Sequence, residues 1–163
     1  MRLEKTLTTK PVVTLRARAL AYLARREHSE KELARKLSPY IEEGDDLPGL
    51  LEDFKQRGWL SEARYTEQIV HARKSRFGSL RVAHELREHG IAEDLIDKAV
   101  TEIRDQELEN ARAIWQKKFG EVPKGREAWA KQARFLQGRG FGFDIIKQVL
   151  NGAPDDQDTS ETD

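Results

Sequence analysis

The feature that most constrains this chain is that it repeats itself. Leu86, Gly90, Ile91, Leu95, Ile96 and Val100 return 50 residues later as Leu136, Gly140, Phe141, Ile145, Ile146 and Leu150. Every match is apolar for apolar or glycine for glycine. Arg76-Phe77-Gly78 returns as Lys118-Phe119-Gly120, at an offset of 42, which places an insertion around residues 121–124 plus a further turn of helix. Upstream, Leu33 and Leu37 stand 49 residues before Val82 and Leu86, and Leu50 and Leu51 stand 45 before Leu95 and Ile96. Three copies of one unit, the first with a longer loop at residues 42–46, make a short repeat array in which neighbours cover one another's apolar faces.

Each copy reads as three helices. Leu15, Ala19, Tyr22 and Leu23 follow the i, i+4, i+7, i+8 spacing of an amphipathic helix. Ser29 followed by Glu32 is a capping box, in which the hydroxyl takes the Glu32 amide and Glu32 reaches back. Leu33 and Leu37, then Leu47, Leu50, Leu51 and Phe54, complete the first copy. Tyr65, Ile69 and Ala72, then Val82 and Leu86, then Leu95, Ile96, Ala99 and Val100 form the second. Leu108, Ala111, Ile114 and Trp115, then Trp129, Ala133 and Leu136, then Ile145, Ile146 and Leu150 form the third. No segment sustains a period of two. With 36% charged and only 7% aromatic residues, narrow helices with one apolar stripe each suit the chain better than a thick two-sheet core. The expected fold is all-α, an elongated array of three tandem three-helix repeats at 14–60, 61–103 and 104–151. A flexible segment at 1–13 and a disordered acidic tail at 152–163 are expected to flank it.

Gly58, Gly90 and Gly140 are each followed by a large apolar residue and preceded four positions earlier by another. That is the signature of a Schellman helix end, with glycine in the left-handed conformation and an apolar contact across the turn. These glycines are structural rather than ligand-binding.

Motifs for chemistry are missing. Residues 120–127 have the glycine spacing of a phosphate-binding loop, but Arg126 and Glu127 stand where Lys and Ser or Thr would grip phosphate and magnesium. Gly138, Gly140 and Gly142 lack the spacing of a dinucleotide fingerprint. Cysteine is absent, which excludes disulfides and cysteine zinc sites. His28, His71, His84 and His89 lack the paired spacing of a zinc motif and are expected as surface or boundary residues. No enzyme activity, no cofactor, no metal and no small-molecule substrate are expected.

The positive signal is basic. The 29 bases and 29 acids cancel, but residues 151–163 carry five acids and no base, so residues 1–150 hold 29 bases against 24 acids. Residues 73–81 carry Arg73, Lys74, Arg76 and Arg81 and no acid. Lys117 and Lys118 occupy the matching place in the third copy, and Arg25 and Arg26 end the first helix of the first. Cations at a helix C-terminus already interact favourably with the helix dipole, which is the bland account of any single cluster. Repetition at equivalent positions favours a track for phosphates or for acidic patches on a repeating protein filament. With Lys36, Lys131 and Arg134, these are the candidate contact residues.

The sequence Arg-Arg-Glu-His-Ser-Glu-Lys-Glu-Leu-Ala-Arg-Lys-Leu at 25–37 resembles the first-repeat motif of the bacterial RecX regulatory proteins. Gly-Trp-Leu-Ser-Glu-Ala-Arg-Tyr at 58–65 resembles their junction before the second repeat. Phe-Gly-Ser-Leu-Arg-Val-Ala-His-Glu-Leu at 77–86, followed by Gly90-Ile91, resembles their central motif. The likeness covers residues 15–150 and is weaker in the third copy, where the insertion departs from the second. It implies an array that binds the RecA recombinase filament and represses its ATPase and strand exchange, by bridging protomers or by acting at a filament end. It implies a protein without catalytic residues; a monomer is expected, with single- or double-stranded DNA as a further partner. The rival is a stand-alone DNA binder using helix-turn-helix-like pairs such as residues 79–89 with 93–103. With no stretch of about 18 apolar residues and no apolar core in residues 1–10, a cytoplasmic protein without membrane partners is expected.

Overall fold

The computed structural model describes residues 10–152, so most of both flanking segments, including the acidic run, lies outside the described residues. Among the described residues there are eight α-helices, a short 3-10 turn at Ser38–Tyr40, and no strand. The helices are α1 (Leu15–Arg25), α2 (Glu30–Leu37), α3 (Leu47–Gln56), α4 (Glu62–Arg73), α5 (Ser79–Glu88), α6 (Glu93–Lys118), α7 (Arg126–Gly138) and α8 (Phe143–Leu150). The chain divides into two compact units, Met1–Ser61 and Glu62–Asp163.

The first unit is the first repeat. Its helices start at side-chain caps: Thr14 Oγ1, Ser29 Oγ and Asp46 Oδ1 accept from the amides of Ala17, Glu32 and Gly49 at 3.0–3.1 Å. Leu15, Ala19, Leu33, Leu37, Leu51, Phe54 and Leu60 form its core. Leu33, Leu37 and Phe54 are fully buried, and each contributes roughly 1.5–3 kcal/mol relative to an exposed side chain. Only half of the expected capping box forms. Ser29 caps as predicted, but the Glu32 carboxylate turns to Arg26 and to Lys36, 3.5 Å away.

In the second unit the third helix of the second repeat and the first helix of the third are one helix. The 103/104 boundary falls inside α6, a continuous helix of 26 residues. Nothing in residues 93–118 stops it, since no glycine or proline intervenes. Glu93 and Asp94 sit at its start and Lys117 and Lys118 at its end, as the helix dipole favours. This helix carries two cores in succession. Ile96, Ala99 and Ile103 pack with Tyr65, Val82 and Leu86 of α4 and α5. Ala111 packs with Leu136, Phe141, Ile146 and Leu150 of α7 and α8.

All three expected Schellman turns form. The amides of Trp59, Ile91 and Phe141 donate to the carbonyls of Phe54, Leu86 and Leu136 at 2.9–3.2 Å, and the glycines have φ of +72°, +73° and +89°. Gly140 has a second duty. An added Cβ there would lie 2.3 Å from Arg81 Cβ and 2.7 Å from its amide nitrogen, and one on Gly78 would lie 2.3 Å from the Gly140 carbonyl oxygen. The start of α5 therefore seats on the α7–α8 turn by direct backbone contact. The Gly78 amide donates to the Arg139 carbonyl at 2.8 Å and the Leu80 amide to the Gly140 carbonyl at 3.2 Å. Ser79 completes the joint: its amide and hydroxyl donate to the buried Glu107 carboxylate of α6 at 2.8–3.1 Å. A helix start leaves orphan N–H groups, and here the third repeat satisfies three of them.

Candidate partner-binding cleft

The second unit holds an open cleft of about 550 Å³ lined by Ser75, Arg76, Ala113, Ile114, Lys117, Lys118, Phe135 and Arg139. Arg76 comes from the turn after α4, Lys117 and Lys118 from the last turn of α6, and Arg139 from the end of α7. Lys117 and Lys118 line the same hollow as Ser75 and Arg76 of the turn where the second repeat bends into α5. Of the two matched basic clusters, Arg76 and the Lys117–Lys118 pair thus meet in one place.

Aromatic rings lie against cations in and beside the cleft. Arg81 lies 4.2 Å from the Phe77 ring centre, Arg139 lies 5.6 Å from Phe77 and 5.4 Å from Phe135, and Lys118 lies 5.8 Å from Phe135. Arg139 Nη1 also donates to the Arg76 carbonyl at 3.3 Å. Cations over ring faces gain roughly 0.5–1 kcal/mol each at exposed sites. Among the described residues no carboxylate stands within ion-pair distance of Arg76, Lys117, Lys118 or Arg139. The apolar wall of Ala113, Ile114 and Phe135 lowers the local polarity, which strengthens attraction to an incoming anion. Four convergent cations without counter-charges suit carboxylate or phosphate oxygens.

The other candidate residues are placed differently. Arg73 is held by Glu85 through two hydrogen bonds of 3.1 and 3.2 Å; this hydrogen bonding keeps its pKa above the ordinary value. Lys74 lines a separate hollow with Glu102 and Asp105. Arg81 donates to the Gly138 carbonyl at 3.1 Å, capping α7. Lys131 and Arg134 lie on the exposed face of α7, away from the cleft lining. In the first unit, Arg25 is exposed, while Arg26 forks onto Glu32 with one contact of 3.0 Å. Lys36 lies 3.0 Å from His28 Nε2 and 5.2 Å from the Tyr22 ring centre. Burial raises the Glu32 pKa, but the Arg26 hydrogen bond and the charges of Arg26, His28 and Lys36 outweigh it, lowering the value to about 2.

His28 corrects an expectation. It is 1% exposed, not a surface or boundary residue. Its Nδ1 lies 3.0 Å from the Arg26 carbonyl, and burial depresses its pKa. Its neighbours Arg26 and Ser29 read as polar in sequence, so nothing in the apolar spacing signalled it. Arg139 was also missed. It stands between Gly138 and Gly140, and only the docking of that turn on α5 brings it to Arg76.

The chain is a series of tandem three-helix units, the second and third fused through one long helix, with a cation-lined cleft between those two. Three family descriptions match it in order: RecX, first three-helix domain, at 16–39; second, at 61–100; and third, at 105–150. Regulatory protein RecX of Leptothrix cholodnii is 43% identical over 155 residues, covering 95% of this chain and 99% of that protein. Regulatory protein RecX of Herbaspirillum seropedicae is 43% identical over 149 residues, covering 91% and 97%. The crystal structure of RecX from Lactobacillus salivarius has the same fold, with a TM-score of 0.73 at 20% identity over 84% of this chain and 92% of that one. The chain belongs to the RecX family of regulatory proteins.

Proposed function

We propose that the chain binds the filament that RecA forms on DNA and inhibits its ATPase and strand exchange, using the cleft between α6, α7 and the α4–α5 turn to take anionic groups of the filament. The reading has the chain act as a cytoplasmic monomer, by binding alone. It rests on family membership and on one observation above the rest, that Arg76, Lys117, Lys118 and Arg139 converge without counter-charges. Cations that merely completed helix ends would not need to come from two repeats into one hollow.

The rival, a stand-alone helix-turn-helix reader of DNA, is less well supported. In the α5–α6 pair the second helix opens with exposed Glu93, Asp94 and Asp97, which repel a phosphate backbone. The test is inhibition of RecA's DNA-dependent ATPase by wild type and by Arg76→Ala, Lys117→Ala, Lys118→Ala over a salt series. Alanine keeps helices intact, and circular dichroism verifies it. Inhibition should weaken by about tenfold at low salt, with the gap closing as salt rises. A folded triple variant that inhibits as well as wild type at every salt overturns the cleft. Capture by naked DNA equal to capture by filaments at matched salt overturns the filament reading.

A further inference from the structure

A second surface lies on the other side of the α5 joint. Leu80, Trp129, Ala133, Phe141, Phe143 and Ile146 line a groove of about 480 Å³. Leu80 is 56% exposed and Phe143 61% exposed, although both are large and apolar. They come from the first turns of α5 and α8, 63 positions apart in the chain, yet flank one depression. Isolated exposed apolar side chains are ordinary, whereas convergent ones mark interaction sites.

The repeats themselves argue that this surface is specialised. Position 143 corresponds to Glu93 in the second repeat, which is exposed and pairs with Arg87 at 2.7 Å. Position 80 corresponds to Lys31 in the first, also exposed. At both places another copy of the unit carries an exposed charged residue, so the repeat does not require an apolar residue there. The rim is cationic. Arg134 borders the groove, Arg126 and Lys131 continue it along α7, and Lys147 lies 4.9 Å from the Phe143 ring centre. None of these four has an ion-pair partner among the described residues. The acids on the same two helices are Glu127 and Asp144.

We infer that this groove docks a protein segment of acidic-apolar chemistry, in which one bulky apolar side chain between carboxylates seats against Trp129 and Phe143 while the carboxylates meet Arg134 and Lys131. An apolar anchor in a pocket with a charged rim is how short segments are recognised. A bare polyanion such as DNA would use the rim and leave Leu80 and Phe143 without a role. The site shares no cation with the cleft and does not depend on the filament reading.

The experiment is a nuclear magnetic resonance titration of the full chain with a short synthetic peptide carrying a leucine–phenylalanine anchor between two aspartate pairs. The reporter is the Trp129 indole proton, which donates to Asn151 Oδ1 at 3.0 Å beside the groove. The expected result is a saturable shift of that proton and of the Phe141 and Gly142 amides. Replacing the anchor by alanine should weaken binding at least about tenfold, as for a buried anchor. Replacing aspartate by asparagine should weaken it several-fold, most at low salt. Leu80→Ser with Phe143→Ser should abolish the shift, while Arg76→Ala with Lys117→Ala should leave it unchanged. No shift at the groove, or equal binding by the asparagine peptide, overturns the inference. A dimer in sedimentation that Phe143→Ser dissolves also overturns it, since the occupant is then a second copy. The peptide-side changes decide the matter even if the serine variant does not fold.

Discussion

Gly140→Ala should damage this protein far more than Gly58→Ala, although both residues close the same kind of turn. At Gly58 an added Cβ meets nothing within 4 Å, so alanine there incurs only the cost of left-handed backbone, about 1–2 kcal/mol. At Gly140 the same backbone cost applies at φ +89°, and the Cβ would also lie 2.3 Å from Arg81 Cβ and 2.7 Å from its backbone nitrogen. Neither atom is the end of a flexible side chain, so α5 must move. Overpacking of this kind costs about 1–3 kcal/mol. The displaced amides of Gly78 and Leu80 lose partners worth about 0.5–1.5 kcal/mol each. Gly140→Ala should therefore cost about 3–8 kcal/mol in all. Native-state hydrogen exchange separates the two variants, because it reports opening of each unit by its own amides. The Phe54 region should lose about 1–2 kcal/mol of protection in Gly58→Ala. The Val82 and Ile146 regions should lose at least about 3 in Gly140→Ala. Equal losses for the two variants would refute the claim that α5 and the α7–α8 turn meet backbone to backbone.

Four further outcomes follow from the surroundings of single side chains. The Glu32 carboxylate, held at about 2 against an ordinary 4.5, binds fewer protons folded than unfolded, so its contribution is full above 4.5 and is lost as pH falls from there toward 2; Glu32→Gln should flatten urea-denaturation stability across that window. His28, whose pKa burial depresses below 6.5, acts with the same sign, so stability should begin to decline as pH falls below 6.5 and should do so less in His28→Gln. Glu107→Ala leaves the Ser79 amide and hydroxyl unpaired in a buried place and should cost about 2–4 kcal/mol by the same denaturation assay; Arg73→Ala, which only breaks the half-exposed pair with Glu85, should cost no more than about 1 and leave ATPase inhibition unchanged.

How much of this was legible follows from which interactions are local. The repeat, the helix stripes and the Schellman turns depend on residues within a few positions of each other, and Phe54, Gly58 and Trp59 carry the whole signal of one helix end. The fusion of two helices in α6 was harder, because a periodic unit suggests a boundary while the chain needs a stop signal to make one, and residues 93–118 contain none. The cleft was half legible. Arg76, Lys117 and Lys118 stand out as matched basic positions, but that Arg73 is spent on Glu85, 12 residues away, depends on how α4 and α5 cross. Arg139 depends on a contact 63 residues long in sequence. Charge clusters reveal where cations are, and only packing reveals which of them lack a partner.

The cleft and the groove are linked by the joint that separates them. Arg76 and Arg139 border the cleft, Leu80 and Gly140 border the groove, and the backbone bonds from Gly78 to Arg139 and from Leu80 to Gly140 run between. Any shift of α5 on the α7–α8 turn must change the spacing of Arg76 from Arg139 and of Leu80 from Phe143 together. Two sites on one rigid joint can then influence each other without a separate relay, provided each ligand favours one seating of α5 over another. Gly140→Ala tests that link directly. It replaces no cation of the cleft and no exposed apolar residue of the groove, yet it should weaken both ATPase inhibition and peptide docking at temperatures where the variant remains folded. Loss of one activity with the other intact would show that the two surfaces are set by separate parts of the second unit, and that the joint only holds the repeats together.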